Sequence, residues 1–186
     1  MKQSIFFVML ITNLSVVAQM NFYDPHVLPG SDSCTVIYSN NLETKLEASG
    51  YTILLNSHAP LVGESIKIMG DMWGDTLILS GGAIYFFGIS KDYLFIDQGT
   101  SPERNLTIIK MPFNFINSFD YIGGVRLKSD SIFYQYLFGD KEKLPQHLPK
   151  CSDTRWSELG YTEKRIFILN TKETIKTGDI QCYYRQ

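Results

Sequence analysis

YFFGISKDYLFIDQGTSPERNLTIIK, residues Tyr85–Lys110, carries the pattern that sets the fold. Tyr93, Leu94, Phe95 and Ile96 form an apolar run too short for a helix. Leu106, Thr107, Ile108 and Ile109 form a second run, rich in β-branched residues. Between them, Asp97, Gln98, Gly99, Thr100, Ser101, Pro102, Glu103, Arg104 and Asn105 are each polar or suited to a turn. Short apolar and β-branched runs bounded in this way are strands, and the pair makes a hairpin. A connection from Asp97 to Asn105 is longer than a tight hairpin turn requires, which marks its tip as a place for function.

Outward from the hairpin, short segments of the same kind recur. Upstream they are Cys34–Ser39, Tyr51–Leu55, Glu64–Met69, Thr76–Ser80 and Ala83–Phe87. The clearest is ESIKIM at 64–69, whose alternation is that of a half-buried strand. Leu42 to Ala48 fits a helical turn or a polar-edged strand equally well. Downstream, Met111–Tyr121 mixes Phe and Tyr with Asn, Pro, Ser and Asp and reads as a connection packing back onto the sheet. Val125–Leu127 follows Gly123-Gly124 as a short strand, and Ser131–Phe138 is a strong one. Residues 139–155 are charged and hold Pro145 and Pro149, the composition of a surface loop. Ser152 or Asp153 is placed to cap a helical turn through Leu159 that Gly160 ends. Arg165–Leu169 and Ile175–Tyr184 pair around Asn170–Glu173. About ten strands and at most one short helix predict a single antiparallel all-β domain, sandwich or barrel-like. A partial propeller-like array of hairpins is the alternative topology.

The N-terminus has the pattern of a secretory signal over residues 1–18. Lys2 precedes an apolar core at Ile5–Ile11, and Val16 and Ala18 occupy the small-residue positions before a new N-terminus at Gln19. A membrane anchor requires about 20 predominantly apolar residues, and this stretch is shorter and interrupted by Thr12, Asn13 and Ser15. The mature chain is therefore expected to lack an integral span and to be exported, periplasmic or secreted. Residues 19–33 form an irregular lead-in with turn signals at Asp24-Pro25 and Pro29-Gly30, and 34–186 form the β-rich domain. The whole chain holds 17 basic and 19 acidic residues, and loss of Lys2 leaves it more acidic still. A nucleic-acid partner, which requires a basic surface, is not expected.

Three cysteines, Cys34, Cys151 and Cys182, allow one intrachain bridge in an oxidising compartment. Cys151–Cys182 is the preferred pairing, one partner in a polar loop and the other in the last strand. Cys34–Cys151 and Cys34–Cys182 stay open, since nothing local excludes them.

Two stretches carry a family likeness: YLFIDQGTSPERNLTI at 93–108 and the ending IQCYYRQ at 180–186. They share an aromatic-aliphatic strand leading into Asp-x-Gly-Thr, an Arg before the return strand, and a Cys shortly before a terminal Arg-Gln. In these features the chain resembles an uncharacterised family of exported, β-rich bacterial proteins. The resemblance implies export and a β-rich body, and it brings no activity and no functional residue.

Four groups of residues are candidates for chemistry. At the hairpin tip, Asp97, Thr100, Glu103 and Arg104 offer carboxylates and a planar fork for an anion, a sugar or a protein partner. A bland role competes, in which Asp97 accepts loop N–H groups and Arg104 pairs with it. GDMWGD at 70–75 places Asp71 and Asp75 around Trp73, too few oxygen ligands for a hard cation. His26, His58 and His147 are isolated and lack zinc or HExxH spacing. No Gly-x-Ser-x-Gly elbow occurs, and Cys34 is a weak candidate nucleophile. Phe113, Phe115, Phe119, Tyr121, Tyr134 and Tyr136 form either an aromatic platform or, as is commoner, core. Asn105-Leu106-Thr107 is a glycosylation sequon, relevant only in a eukaryotic source. No cofactor and no metal is called for. These features favour an exported, non-enzymatic binding or envelope-associated protein with an unknown protein or glycan partner. An extracytoplasmic hydrolase with a dispersed site is the alternative.

Overall fold

The computed structural model describes residues 27–57, 62–70, 76–138, 144–151 and 158–185. The signal sequence, the first part of the lead-in, Asp71–Asp75, His26, His58 and the cap at Ser152 or Asp153 lie outside the described residues. Within them the chain is all-β, with twelve strands and no helix. Strands β1 (Thr35–Ser39), β2 (Glu43–Ala48), β3 (Tyr51–Ser57), β4 (Glu64–Gly70) and β5 (Thr76–Leu79) form a five-stranded antiparallel meander. Strands β6 (Ile84–Ser90), β7 (Tyr93–Gln98), β8 (Glu103–Lys110), β9 (Asn114–Lys128), β10 (Ser131–Leu137), β11 (Glu158–Ile168) and β12 (Glu173–Arg185) form a seven-stranded one. The sheets are open rather than closed into a barrel, and neither is built of propeller blades. No helix among the described residues is long and apolar enough to cross a membrane.

Each strand's burial follows from its two faces. In β4, Glu64, Ile66 and Ile68 point inward, while Ser65, Lys67 and Met69 are half-buried on the other side, as the alternation of a one-sided strand predicts. In β7 the unbroken run Leu94–Asp97 is buried throughout because this strand is covered on both faces. Leu94 and Ile96 join Leu46, Ile53, Leu55, Ile66 and Ile68 in a core between the two sheets. Phe95 joins a second core with Leu106, Ile108, Tyr121, Leu127, Ile132, Tyr134 and Phe167, all from the seven-stranded sheet. That second core exists because the large sheet curls on itself. β6 and β9 are separated in the sheet by β7 and β8, yet one short segment of the lead-in bonds to both. Leu28 N–H donates to Phe87 O at 2.5 Å, and Leu127 N–H donates to Pro29 O at 2.8 Å. The crossing is so close that a Cβ at Gly30, whose φ is +91°, would collide with the Leu127 carbonyl.

The lead-in also covers the edge of β6, which would otherwise offer unpaired backbone groups for aggregation. Asp32 N–H bonds Ile89 O at 2.8 Å, and the buried Glu64 carboxylate accepts the Phe86 N–H at 3.1 Å. The Asp32 carboxylate ties three turns together, accepting from Ser49 Oγ (2.5 Å), the Lys91 N–H (2.8 Å) and Ser90 Oγ (3.1 Å). Burial by itself pushes the Asp32 pKa up, but these hydrogen bonds outweigh it and hold the group below its ordinary 3.8. A depressed carboxylate stabilises the fold above its unfolded-state pKa, and that contribution fades as pH falls through the folded value. Asp32→Asn is therefore expected to unfold more easily in urea than the native chain at neutral pH, with the gap shrinking in acid below the carboxylate range. A gap independent of pH would remove the ionised carboxylate from this role.

Two expectations are corrected and one left open is settled. Asn114–Tyr121, most of the stretch read as a connection, and Val125–Leu127 belong to one 15-residue strand, β9, with residues 111–113 forming the turn before it. Asn114–Ile122 of β9 pairs with β8, and Ile122–Lys128 pairs with β10, so Gly123-Gly124 marks the change of partner and not a break. Leu42–Ala48, left open between helix and strand, contains β2. Gly160 does not end a helical turn, because it lies inside β11 opposite Tyr183.

Cys151 and Cys182 form the disulfide, with Cα atoms 5.9 Å apart, and Cys34 is a free thiol. A bridge of this kind is compatible with an exported protein. The two half-cystines are 31 residues apart, which in the chain-entropy model is worth about 3–4 kcal/mol. Cys182→Ser is expected to melt well below the native chain without reductant and alongside it in excess dithiothreitol. Coincident melting in both conditions would show that the bridge contributes nothing.

Candidate functional site

The hairpin tip is smaller than its sequence pattern predicts. β7 runs through Gln98 and β8 starts at Glu103, so only Gly99–Pro102 connect them. Side-chain alternation then splits the four candidates. Asp97 and Arg104 point into the inner core of the curled sheet, Glu103 lies on the opposite face of β8, and Thr100 is exposed in the turn. Asp97 is only 2% exposed. Its carboxylate accepts from Arg104 Nε at 3.1 Å, from Arg104 Nη2, and from the Tyr121 hydroxyl at 2.9 Å. The guanidinium also sits over the Tyr85 ring, 5.3 Å from its centroid. Burial, reinforced by the adjacent Asp97 charge, pushes the Tyr121 phenol far above its ordinary value. Tyr121 is thus a fixed hydrogen-bond donor. The bidentate pair and its phenol partner form a latch among β6, β7, β8 and β9 with its charges turned toward each other.

A second buried pair lies further round the same concave face, on β11. Arg165 Nε donates to Glu163 Oε2 at 2.7 Å, with both side chains 6% exposed. Glu163 Oε1 accepts the Gly178 N–H at 3.1 Å, where β12 bulges away from its partner. The Arg165 guanidinium stacks 3.6 Å from the Tyr136 centroid and lies 5.6 Å from that of Phe138. Burial raises the Tyr134 pKa, and the cationic Arg165 opposes that rise in part. The sequence did contain a signal for this pair. Glu163 and Arg165 alternate in step with Phe167 and Leu169, which places all four on the face that became core.

The outer face of β8 and β9 differs along its length: Phe115, Ser118 and Asp120 of β9 are exposed, Asn105 and Thr107 of β8 are half-buried, and Ile109 packs into the core between the sheets. Asn105 and Thr107 on β8 stand opposite Asp120 and Ser118 on β9. Asn105 Nδ2 donates to Asp120 Oδ1 at 3.0 Å, Ser118 Oγ donates to Asn105 Oδ1 at 2.5 Å, and the Thr107 and Ser118 hydroxyls are 3.3 Å apart. A register shift between Ile108 and Ile109 leaves Ile116 as the extra residue of a bulge. By pairing with Ile109, Phe115 then falls on the same face as Thr107 and Ser118, where it is 65% exposed. Bulges commonly re-aim a side chain in this way. Glu103 belongs to this face too, two positions before Asn105.

The aromatic candidates therefore divide. Phe119 stacks on Tyr134 at 4.0 Å, Tyr121 and Tyr134 are buried, Tyr136 holds Arg165, and Phe113 packs against the core between the sheets. Of the six, Phe115 alone is left largely to solvent. His147 is exposed. Burial first and the neighbouring Asp32 second raise the Cys34 pKa, the reverse of what an activated nucleophile requires. The sequon residue Asn105 has its amide nitrogen bonded to Asp120. Among the described residues no group of three or more His, Cys, Asp or Glu side chains is placed to hold a metal ion. Comparison with known protein families, with curated proteins and with solved structures gives no match in any of the three.

Proposed function

We propose that the chain is an exported, non-enzymatic binding protein that engages a partner of the cell envelope or the surrounding medium through the outer face of β8 and β9. The observation that carries this reading is the exposed Phe115 ring, held beside an ordered row of polar side chains. Other large apolar side chains such as Leu42 and Ile78 are as exposed, and what sets Phe115 apart is an aromatic ring beside ordered polar groups, an arrangement a binding surface can use as an anchor. Export is supported by the leader pattern and is compatible with the Cys151–Cys182 bridge. The family likeness in 93–108 and 180–186 agrees with the same compartment. A hydrolase is less well supported, because Asp97 and Glu163 each face an arginine rather than a reacting atom.

Phe115→Ala tests the surface. A largely exposed position changes stability by about ±0.5 kcal/mol at most, so the variant should melt with the native chain. It should also lose, by about tenfold or more, the material that the immobilised native protein retains from envelope or medium fractions. Equal retention by the two proteins would rule this face out as the binding surface.

A further inference from the structure

We infer that the outer face of the larger sheet, from the second half of β9 to β12, is a contact surface for a second copy of this chain. The core between the sheets draws on the larger sheet only through β6, β7, β8 and the turn that follows. Further round the same face, β10, β11 and β12 carry Phe133, Ile166, Ile168 and Ile175, which belong to neither core. Ile175 is 46% exposed, and the other three are half-buried. Register sets these side chains in two adjoining rows. One runs Arg126, Phe133, Ile166, Ile175 across β9, β10, β11 and β12, and the next runs Lys128, Ser131, Ile168, Glu173. The face is therefore basic along β9, mostly apolar through β10 and β11, and acidic where β12 starts. An apolar patch with a charged rim marks an interaction site.

Charge selects the occupant. A twofold axis running along the strands, between two such faces, turns the face over onto itself and sets β9 of each copy against β12 of the other. Lys128 then meets Glu173 of the second copy, Phe133 meets Ile166, and the stem of Arg126 lies over Ile175, each contact being made twice. Arg126 already leans along this row, with its guanidinium 5.3 Å from the Phe133 centroid. Further along the face, Lys164 and Asp179 neutralise each other in an ion pair at 2.6 Å. An acidic partner or an anionic membrane would meet Glu173 as well as Lys128, and a basic partner would meet the reverse. A second copy satisfies both margins at once. Size sets the strength. Four strands at about 4.8 Å spacing, by the seven residues of β10 at about 3.3 Å each, give roughly 450 Å² per copy. Stable interfaces bury about 800 Å² on each side, so this contact is a reversible one. The inference does not depend on the Phe115 surface.

Sedimentation velocity on the full chain recovered after export tests it, from about 5 to 500 µM, a range suited to small interfaces. The native chain is expected to pass from monomer to dimer across that range. Lys128 and Glu173 are both exposed, so Lys128→Glu and Glu173→Lys should melt with the native chain. Each sets like charges together twice and is expected to weaken association by about tenfold or more. An equimolar mixture of the two variants is expected to regain it, because the mixed pair sets opposite charges together at both places. A native chain still monomeric at about 500 µM overturns the inference, whatever other protein or lipid the face captures. Dimerisation that both variants retain, or that their mixture fails to regain, overturns this face as the contact.

Discussion

Arg104→Ala is expected to lower the unfolding free energy by about 3 kcal/mol, the lower part of the range for breaking one side of a buried ion pair. The lower part applies because the arginine keeps 25% of its side chain in solvent, while Asp97 keeps 2%. Removing the guanidinium leaves the Asp97 carboxylate in the inner core with the Tyr121 hydroxyl as its remaining partner among the bonds described above. Most of the loss is thus the cost of a stranded charge rather than the worth of the pair. This has a signature. The double variant Asp97→Leu, Arg104→Leu should recover part of the stability lost in Arg104→Ala, because it strands nothing. Urea unfolding of the two variants decides the matter. If Arg104→Ala unfolds with the native chain and a captured partner is lost instead, Arg104 is a contact residue and the latch assignment is wrong.

Arg165→Ala carries the larger effect, about 3–5 kcal/mol, because both members of its pair are buried. The variant leaves the buried Glu163 with the Gly178 N–H but without its arginine, and it also removes the stacking of the guanidinium on Tyr136. Glu163→Gln is expected to cost less, since its single amide oxygen keeps one of the two acceptor positions, toward Gly178 N–H or toward Arg165. Ranking the two by chemical denaturation is the check. Equal costs would place the damage in the lost ion pair, which both variants break, rather than in shape, which only Arg165→Ala changes. A large Arg165→Ala effect with unchanged binding to the β8–β9 face would also separate the inner core from the outer surface, as their opposite sides of the sheet require.

The pattern of residues predicted most of the strands because each needs only its own neighbours to be recognised. ESIKIM alternates, and β4 buries alternate residues. YLFI is apolar without a break, and β7 is covered on both sides. The strand missed was β9, and the reason is physical. Asn, Ser and Asp lower the intrinsic preference of its first half for extended structure, and pairing with β8 overrides that preference. The same residues look like a loop because they are polar, and they are polar because one face of β9 meets water.

Site residues were harder to place than strands. Asp97 and Arg104 were legible as a pair, but not as an interior one. Their position depends on β7 and β8 reaching further toward the turn than the apolar runs suggest. Glu163 and Arg165 shared a face with Phe167, yet only the curling of the large sheet makes that face an interior. Phe115 was one aromatic among six, and nothing local distinguished it.

By itself, then, the order of residues determined that the chain is a series of short antiparallel strands, and it favoured Cys151 and Cys182 as the bridge. Periodicity, turn chemistry and cysteine position are local or nearly local properties, and they survive without knowledge of the partners. The tertiary structure decided that the strands divide five and seven, that the larger sheet folds over Leu28, and that a single-residue bulge turns Phe115 outward. Those outcomes depend on which face of each ribbon is covered, and covering is settled by segments distant in the chain.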